Sequence, residues 1–303
     1  MKKPTVVRVA ESKVRDGEDE TLFPEQQQSP PGLTGAMEPV PDHGETSWKG
    51  RGRLEGLKAF VTGADSGIGR AVAIAYAREG ADVAIGYLPE EQIDAEETQR
   101  VVEEAGRTAV LVPADLRTNE ECVRSIDEAV KGLGGLDILV NNAGYHWARG
   151  EEGLAGLDLD EMDRTLKTNL HAVLWLSKAA LPHLGEGSSI IITSSVQAYD
   201  PSTALLDYAA TKAAMNNLTV NLAADLGPQG IRVNAVAPGP IWTPLQPATR
   251  EAEKVADFGA DTPLGRAGQP SEMAGAYVFL ASPEEASYVS GTVVGVTGGR
   301  PVF

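Results

Sequence analysis

The chain has 303 residues, 42% of them apolar, and its 26 Lys and Arg face 43 Asp and Glu for a formal charge of −17 at pH 7. That apolar content supports a sizeable core, in one large α/β domain or two smaller ones, and the acidic balance would repel nucleic-acid phosphates and anionic lipid, which argues against both as partners. No eighteen apolar residues run together and no apolar leader follows Met1-Lys2-Lys3-Pro4, so a soluble cytoplasmic protein is expected; the lone Cys122, on an amphipathic stretch, excludes an intrachain disulfide and reads as a buried inert thiol.

Residues 1–55 carry Pro24, Pro30, Pro31, Pro39 and Pro41, a glutamine run at Gln26, Gln27 and Gln28, and an acidic patch at Glu18, Asp19 and Glu20. Such a stretch buries too little apolar surface to fold alone. It is either a disordered tail or an extended arm that docks on a body, and Phe23, Leu33, Met37 and Trp48 would suit docking. From Leu57, short apolar runs alternate with helical stretches. Strands are expected at 59–61, 83–87, 109–112, 138–140, 190–193, 232–236 and 293–296, and helices at 68–79, 95–105, 120–133, 160–184, 208–226 and 272–281. The alternation implies right-handed βαβ units and a parallel sheet covered on both faces. One doubly wound α/β domain of about seven strands then spans residues 56–303, preceded by the arm.

The turn after the first strand reads Thr62-Gly63-Ala64-Asp65-Ser66-Gly67-Ile68-Gly69. Glycines there allow a tight turn and let a pyrophosphate approach the backbone, and the free N–H groups of the next helix attract it. Strand before, helix after and position in the first βαβ unit point to a bound nucleotide. Asp115 and Leu116 follow the third strand, and Asn141-Asn142-Ala143-Gly144 follows the fourth. Adenine and ribose could be held there by Asp115 and by backbone near Asn141 and Gly144; singly, each is also ordinary turn chemistry. Asn169, inside the helix expected at 160–184, is an indifferent helix former and by itself reads as exposed.

Chemistry enters at Ser195, Tyr208 and Lys212. On a helix, the four-residue spacing puts Tyr208 and Lys212 one turn apart on the same side. A fixed ammonium close to a phenol favours the phenolate and pulls its pKa down from near 10, which would let Tyr208 exchange protons with a substrate oxygen. Ser195 lies just beyond the run Ile190-Ile191-Ile192, at the carboxyl end of a buried strand, where open α/β sheets bind ligands.

Together, Thr62-Gly63-x-x-x-Gly67-Ile68-Gly69, Asn141-Asn142-Ala143-Gly144, Asn169, Ser195, Tyr208-x-x-x-Lys212 and Pro238-Gly239-Pro240-Ile241-x-Thr243 resemble the short-chain dehydrogenase/reductase family, in the family's order and from about Leu54 onward. The Pro-rich arm further resembles a bacterial subgroup of general-stress or glucose/ribitol-dehydrogenase-like oxidoreductases. The resemblance implies a Rossmann-like fold and an NAD(P)-dependent interconversion of carbonyl and alcohol. Tyr208 would be general acid in reduction and base in oxidation. Lys212 would lower its pKa and hold the nicotinamide ribose, Ser195 would bond the substrate oxygen, and Asn169 would hold a water linking Lys212 to solvent. Thr243 and the Ile241 backbone, beside Pro238 and Gly239, would meet the carboxamide end of the cofactor. Relatives of this kind are commonly dimers or tetramers, which implies a homo-oligomer, with a homotetramer expected.

The second strand ends Ile85-Gly86-Tyr87-Leu88, with neither the acid usual for NAD nor the cation usual for NADP. Ser66 stands where many NADP-preferring relatives carry an arginine, and Asp65, Glu90 and Glu91 would oppose a 2′-phosphate, so NAD is expected and NADP kept open. The loop at 238–270, with Trp242 and Phe258, would select substrate and close as a lid. Gln197, Tyr199, His146 and Trp147 also lie near strand ends facing the site. Their mix suggests a modestly polar pocket for a sugar, polyol or small aldehyde. His43, His146, His171 and His183 are scattered without ligand spacing, so no metal is expected. A dinucleotide-binding sensor without useful turnover is the competing reading, and the arm as a tether to a partner is a third.

Overall fold

Runs rich in Val, Ile and Ala suit strands buried on both faces, and the chain folds accordingly. The structure, a computed structural model, describes residues 21–148 and 153–303. The acidic patch at 18–20 lies outside them. In chain order come β1 (Lys58–Thr62), α1 (Gly67–Arg78), β2 (Asp82–Tyr87), α2 (Gln92–Glu104), β3 (Ala109–Pro113), α3 (Asn119–Leu133), β4 (Ile138–Asn141), α4 (Leu159–Leu166), α5 (Ala172–Ala180), β5 (Ser189–Thr193), α6 (Leu206–Leu226), β6 (Arg232–Pro238), α7 (Leu245–Thr249), α8 (Ala252–Ala256), α9 (Pro270–Ala281) and β7 (Val293–Val296).

All seven strands join one sheet in the order β3-β2-β1-β4-β5-β6-β7, and every pairing is parallel. The order reverses between β1 and β4, which opens a crevice at their carboxyl ends. Alternate strand residues feed two cores, as a period of two requires. Val61, Ile85 and Val140 pack with Tyr76 of α1 and Tyr277 of α9 on one face, while Phe60, Leu139 and Ile190 pack with Ile126 of α3 and Met215 of α6 on the other. No helix among the described residues is long and apolar enough to cross a membrane.

Local signals set the helix ends. Thr118 accepts from Glu121 N at the start of α3, and Gly134, at φ 73°, ends it. The single helix expected at 160–184 is instead four pieces. Asp158 caps α4, a π-helical turn runs over Lys167–His171, and α5 gives way to a 3₁₀ turn at Leu181–His183, where Pro182 has no N–H to continue the ladder.

Residues 21–55 run across the outside of the domain. Phe23 stacks on Trp242 with centroids 3.8 Å apart and planes at 6°, and the Trp242 indole donates to Pro39 O at 2.8 Å. Arg78 donates to Gly44 O and Trp48 O at 2.9 Å each. The fully buried carboxylate of Glu79 accepts from Trp48 Nε1, Arg51 N and Arg53 Nη2 at 3.1, 2.8 and 2.7 Å; these charge-assisted bonds hold it well below the usual range, near 2, against the cost of burial. Gly50 is required here, since a Cβ would fall 1.7 Å from Arg78 O.

Candidate active site

A cleft of about 470 Å³ opens along the carboxyl edge of β1, β4, β5 and β6. One end is the turn after β1. Gly63 (φ 62°) and Gly67 (φ 50°) take backbone conformations that disfavour side chains, and a Cβ on Gly69 would lie 1.9 Å from Gly63 O. Thr62 does not line the cleft. Its Oγ1 accepts from Asn142 N and Ala143 N at 2.9 and 3.0 Å, and Asn142 Nδ2 donates back to Thr62 O and Gly63 O at 3.0 and 3.1 Å. The ends of β1 and β4 are thereby stitched into one rigid floor. Gly63, Asp65, Ser66, Gly67 and Ile68 line this end, and the open N-terminus of α1 faces it.

Asp65 is buried and its Oδ2 has no hydrogen-bond donor. Glu91, also buried, is its neighbour. Burial and the charge of Asp94 raise both carboxyls, and the charge of Asp65 raises Glu91 further still. Arg70 offsets this only in part at Asp65: its guanidinium pairs with Asp94 at 3.2 Å, and its Nε donates to the Asp65 backbone O at 2.7 Å. Tyr87 lines the same wall with its hydroxyl on Gln92. Across the cleft, Asp115 and Leu116 line it as well, with Asp115 held below the usual carboxylate range chiefly by its bonds to Arg117.

At the other end Ser195, Tyr208 and Lys212 come together. Tyr208 and Lys212 share a face of α6, the ammonium 5.3 Å from the phenol ring centroid. Lys212 is 2% exposed and donates to Thr193 O at 2.7 Å; burial pulls its pKa down to about 7. Ser195, in extended backbone just past β5, accepts from Gln197 N at 3.1 Å and bonds the Tyr208 hydroxyl. The expected lowering of the Tyr208 pKa is not what this environment produces. Burial raises it, and the Ser195 bond and the field of Arg250 only partly offset that.

Asn169 is fully buried, against its reading as an exposed helical residue. Its Oδ1 accepts from Tyr145 N and its Nδ2 donates to Tyr145 O, both at 2.8 Å, with a further 3.2 Å contact to Thr211 Oγ1. The π turn that carries it sets its amide against the Tyr145 backbone after β4, and this is why a residue unsuited to helices sits there. Gly144 lies against the group, a Cβ there being 3.7 Å from both Asn169 Oδ1 and Lys212 Nζ.

Pro238, Gly239, Ile241 and Thr243 line the cleft, as do Ala143 and Gly144. Four residues expected to touch substrate do not line it. Trp242 is wholly buried because the arm covers it. His146, also buried, packs edge-on against Tyr208 at 5.2 Å and pairs with Thr249 Oγ1 at 3.2 Å; burial takes its pKa down to about 3, so it is neutral. Gln197 Oε1 is used by Ser202 N at 2.7 Å, and Tyr199 stands beside it, off the cleft. Phe258 instead lies under the Arg250 guanidinium at 5.1 Å. Sequence reasoning missed Arg164, Gln246, Thr249 and, from the arm, Pro30 and Pro31. Nothing in the local sequence of the arm prolines marks them as cleft residues, because only the docked path brings them there.

A glycine turn with room for phosphates, an open helix N-terminus and a buried ammonium fit a nicotinamide dinucleotide lying along the cleft with its reactive ring beside Tyr208. The family model described as enoyl-(acyl carrier protein) reductase matches residues 63–300. Oxidoreductase YhxD of Bacillus subtilis is 55% identical over 283 residues, covering 92% of this chain and 94% of that protein. General stress protein 39 of the same organism is 49% identical over 92% of this chain and 96% of its own length, and glucose and ribitol dehydrogenase homolog 2 of Arabidopsis thaliana is 43% identical over 91% and 96%. The crystal structure of a short-chain dehydrogenase from Burkholderia cenocepacia in complex with NADP, 38% identical, superposes with a TM-score of 0.75 over 82% of this chain and 99% of that one. The chain belongs to the short-chain dehydrogenase/reductase family of NAD(P)-dependent oxidoreductases.

Proposed function

We propose that this enzyme interconverts the carbonyl and alcohol forms of a small polar substrate, an aldehyde, ketone or sugar, with Tyr208 as the proton-exchanging group. The observation that carries the reading is the meeting of the Tyr208 and Ser195 hydroxyls beside a buried ammonium, at one end of a cleft whose other end is a phosphate-sized glycine turn. When bound, the nicotinamide supplies or accepts the hydride. The protein's part is orientation and one proton. Ser195 fixes the substrate oxygen, and Tyr208 gives that oxygen its proton in reduction and removes it in oxidation. Lys212 is held by Thr193 O and stabilises the phenolate left behind. Asn169 acts by position, tying α4 and α5 to the segment after β4 so that Lys212 faces the cleft.

The dinucleotide proposed is NAD, because Asp65 and Glu91 face its adenosine end without a cation of their own. NADP is the second reading, supported by the NADP complex of the Burkholderia relative. Polar side chains of Ser195, Gln246 and Thr249 line the substrate end, and the name of the plant relative supports sugars and polyols within the class. Exposed Leu159, Leu174 and Val220 on α4, α5 and α6 support association of copies through the long helices, as a dimer or tetramer in the cytoplasm. Screening aldehydes, ketones, sugars and polyols at 340 nm with both cofactors tests the function. Tight cofactor binding with no turnover on the whole panel would favour a sensor instead.

A further inference from the structure

Two proline side chains from outside the α/β domain, Pro30 and Pro31, form part of the cleft wall. The segment that carries them is fastened on both sides. Toward the stretch after β6, Gln28 N donates to Pro247 O at 2.9 Å, Gln27 Nε2 donates to Arg250 O at 3.3 Å, and Gly32 packs so closely that a Cβ would stand 2.9 Å from Pro244 O. Toward the dinucleotide half, Thr34 N donates to Asp94 Oδ2 at 2.8 Å, on α2. The loop between is clamped on itself, the Gln28 amide accepting from Leu33 N at 2.8 Å and donating to Leu33 O at 3.2 Å. Pro244, Leu245 and Gln246 line the cleft immediately beside this bridge.

We infer that residues 28–34 are a component of the dinucleotide site, walling its outer side and tying α7 to α2 so that the cofactor leaves only when this bridge lets go. The inference rests on the reading of the cleft as a dinucleotide site. The segment itself contributes backbone groups, glutamine amides and proline rings, so it brings no charge of its own and takes no part in proton exchange. Its effect therefore falls on the rate of cofactor release and not on the chemical step. Roof segments of this kind commonly gate turnover in enzymes where release is slow.

Two full-length variants break the bridge at different points. Gly32→Val adds atoms against Pro244 O at a positive φ of 85°, and Thr34→Pro removes the N–H that reaches Asp94. NADH and NADPH dissociation rates are measured by stopped-flow displacement, following nicotinamide fluorescence, alongside association rates and thermal melting of the free protein. At least one folded variant is expected to release cofactor about tenfold faster or more, with association faster by a comparable factor, since a segment that bars the way out bars the same way in. Release within twofold of the parent in both variants, or in the one that melts cooperatively if the other does not, overturns the inference while leaving the site intact. Failure of the parent to bind either dinucleotide overturns the site reading itself, and the inference with it.

Discussion

Converting Asp65 and Glu91 together to their amides is expected to raise the preference for NADPH over NADH about thirtyfold at pH 7, whereas Glu91→Gln alone leaves it nearly unchanged. The asymmetry follows from the burial of the pair. Desolvation first, with the charges of Asp65 and Asp94 behind it, lifts Glu91 to about 9, and desolvation with the charge of Asp94 lifts Asp65 to about 6, so near neutrality Glu91 keeps its proton and the two carry a single negative charge. Arg70 is already committed to Asp94. One charge about 7 Å from a phosphate, at an effective dielectric of about 20, opposes it by roughly 2 kcal/mol, which is about thirtyfold. Glu91→Gln removes a group that is neutral at pH 7 and leaves Asp65 charged. Asp65→Asn removes the charge but also one of the causes that keep Glu91 protonated, so the double variant is the one that leaves neither carboxyl at the site. Above pH 9 the parent gains a second charge and loses further preference for NADPH, while Glu91→Gln does not. The assay is kcat/KM for each cofactor with one substrate, supported by fluorescence titration, at pH 7 and 9.5. If Glu91→Gln matched the double variant at pH 7, or the double variant changed the ratio less than twofold, the shared-proton account would be wrong.

Tyr208→Phe should keep NADH affinity within about threefold and lose at least about 10²-fold in turnover, the low end of what a general acid contributes; unchanged turnover would move the proton donor elsewhere. Lys212→Met should stabilise the free protein near pH 6, and the gain should shrink toward pH 10. The Lys212 pKa is depressed from 10.5 to about 7, so the folded state carries the full cost of a buried charge below pH 7 and is relieved as pH rises toward 10.5. At about 1.4 kcal/mol per unit, less the lost bond to Thr193 O, the gain near pH 6 is roughly 3 kcal/mol, read from melting curves across pH. Gly69→Ala should weaken binding of both dinucleotides and lower the melting temperature together, because its Cβ would overlap Gly63 O; titration and calorimetry report the two effects separately.

The sheet was legible because strands buried on both faces read as unbroken apolar runs, and each expected strand falls within two residues of its structural bounds. Spacing and strand ends made a meeting of Tyr208, Lys212 and Ser195 possible, and the ordered motifs of the family resemblance singled it out from the chance Tyr/Lys pairs that many helices carry. What failed depended on what covers a residue. Trp242 looked like a pocket aromatic because nothing local announces that Phe23, over two hundred residues earlier, lies on it. Asn169 looked exposed because its partner is the backbone of Tyr145, reached only through a π turn that no periodicity signals. The sign of the Tyr208 shift was misjudged because enclosure, which spacing does not report, outweighs the Ser195 bond and the charge of Arg250.

The arm imposes an order on biosynthesis. Pro39 O meets the indole of a residue 203 positions further along, and Asp42 O accepts from Ser271 N. The arm therefore leaves the ribosome well before the residues that seat it, and Phe23 and Met37 stay uncovered until Trp242, Val255 and Ala267 have emerged.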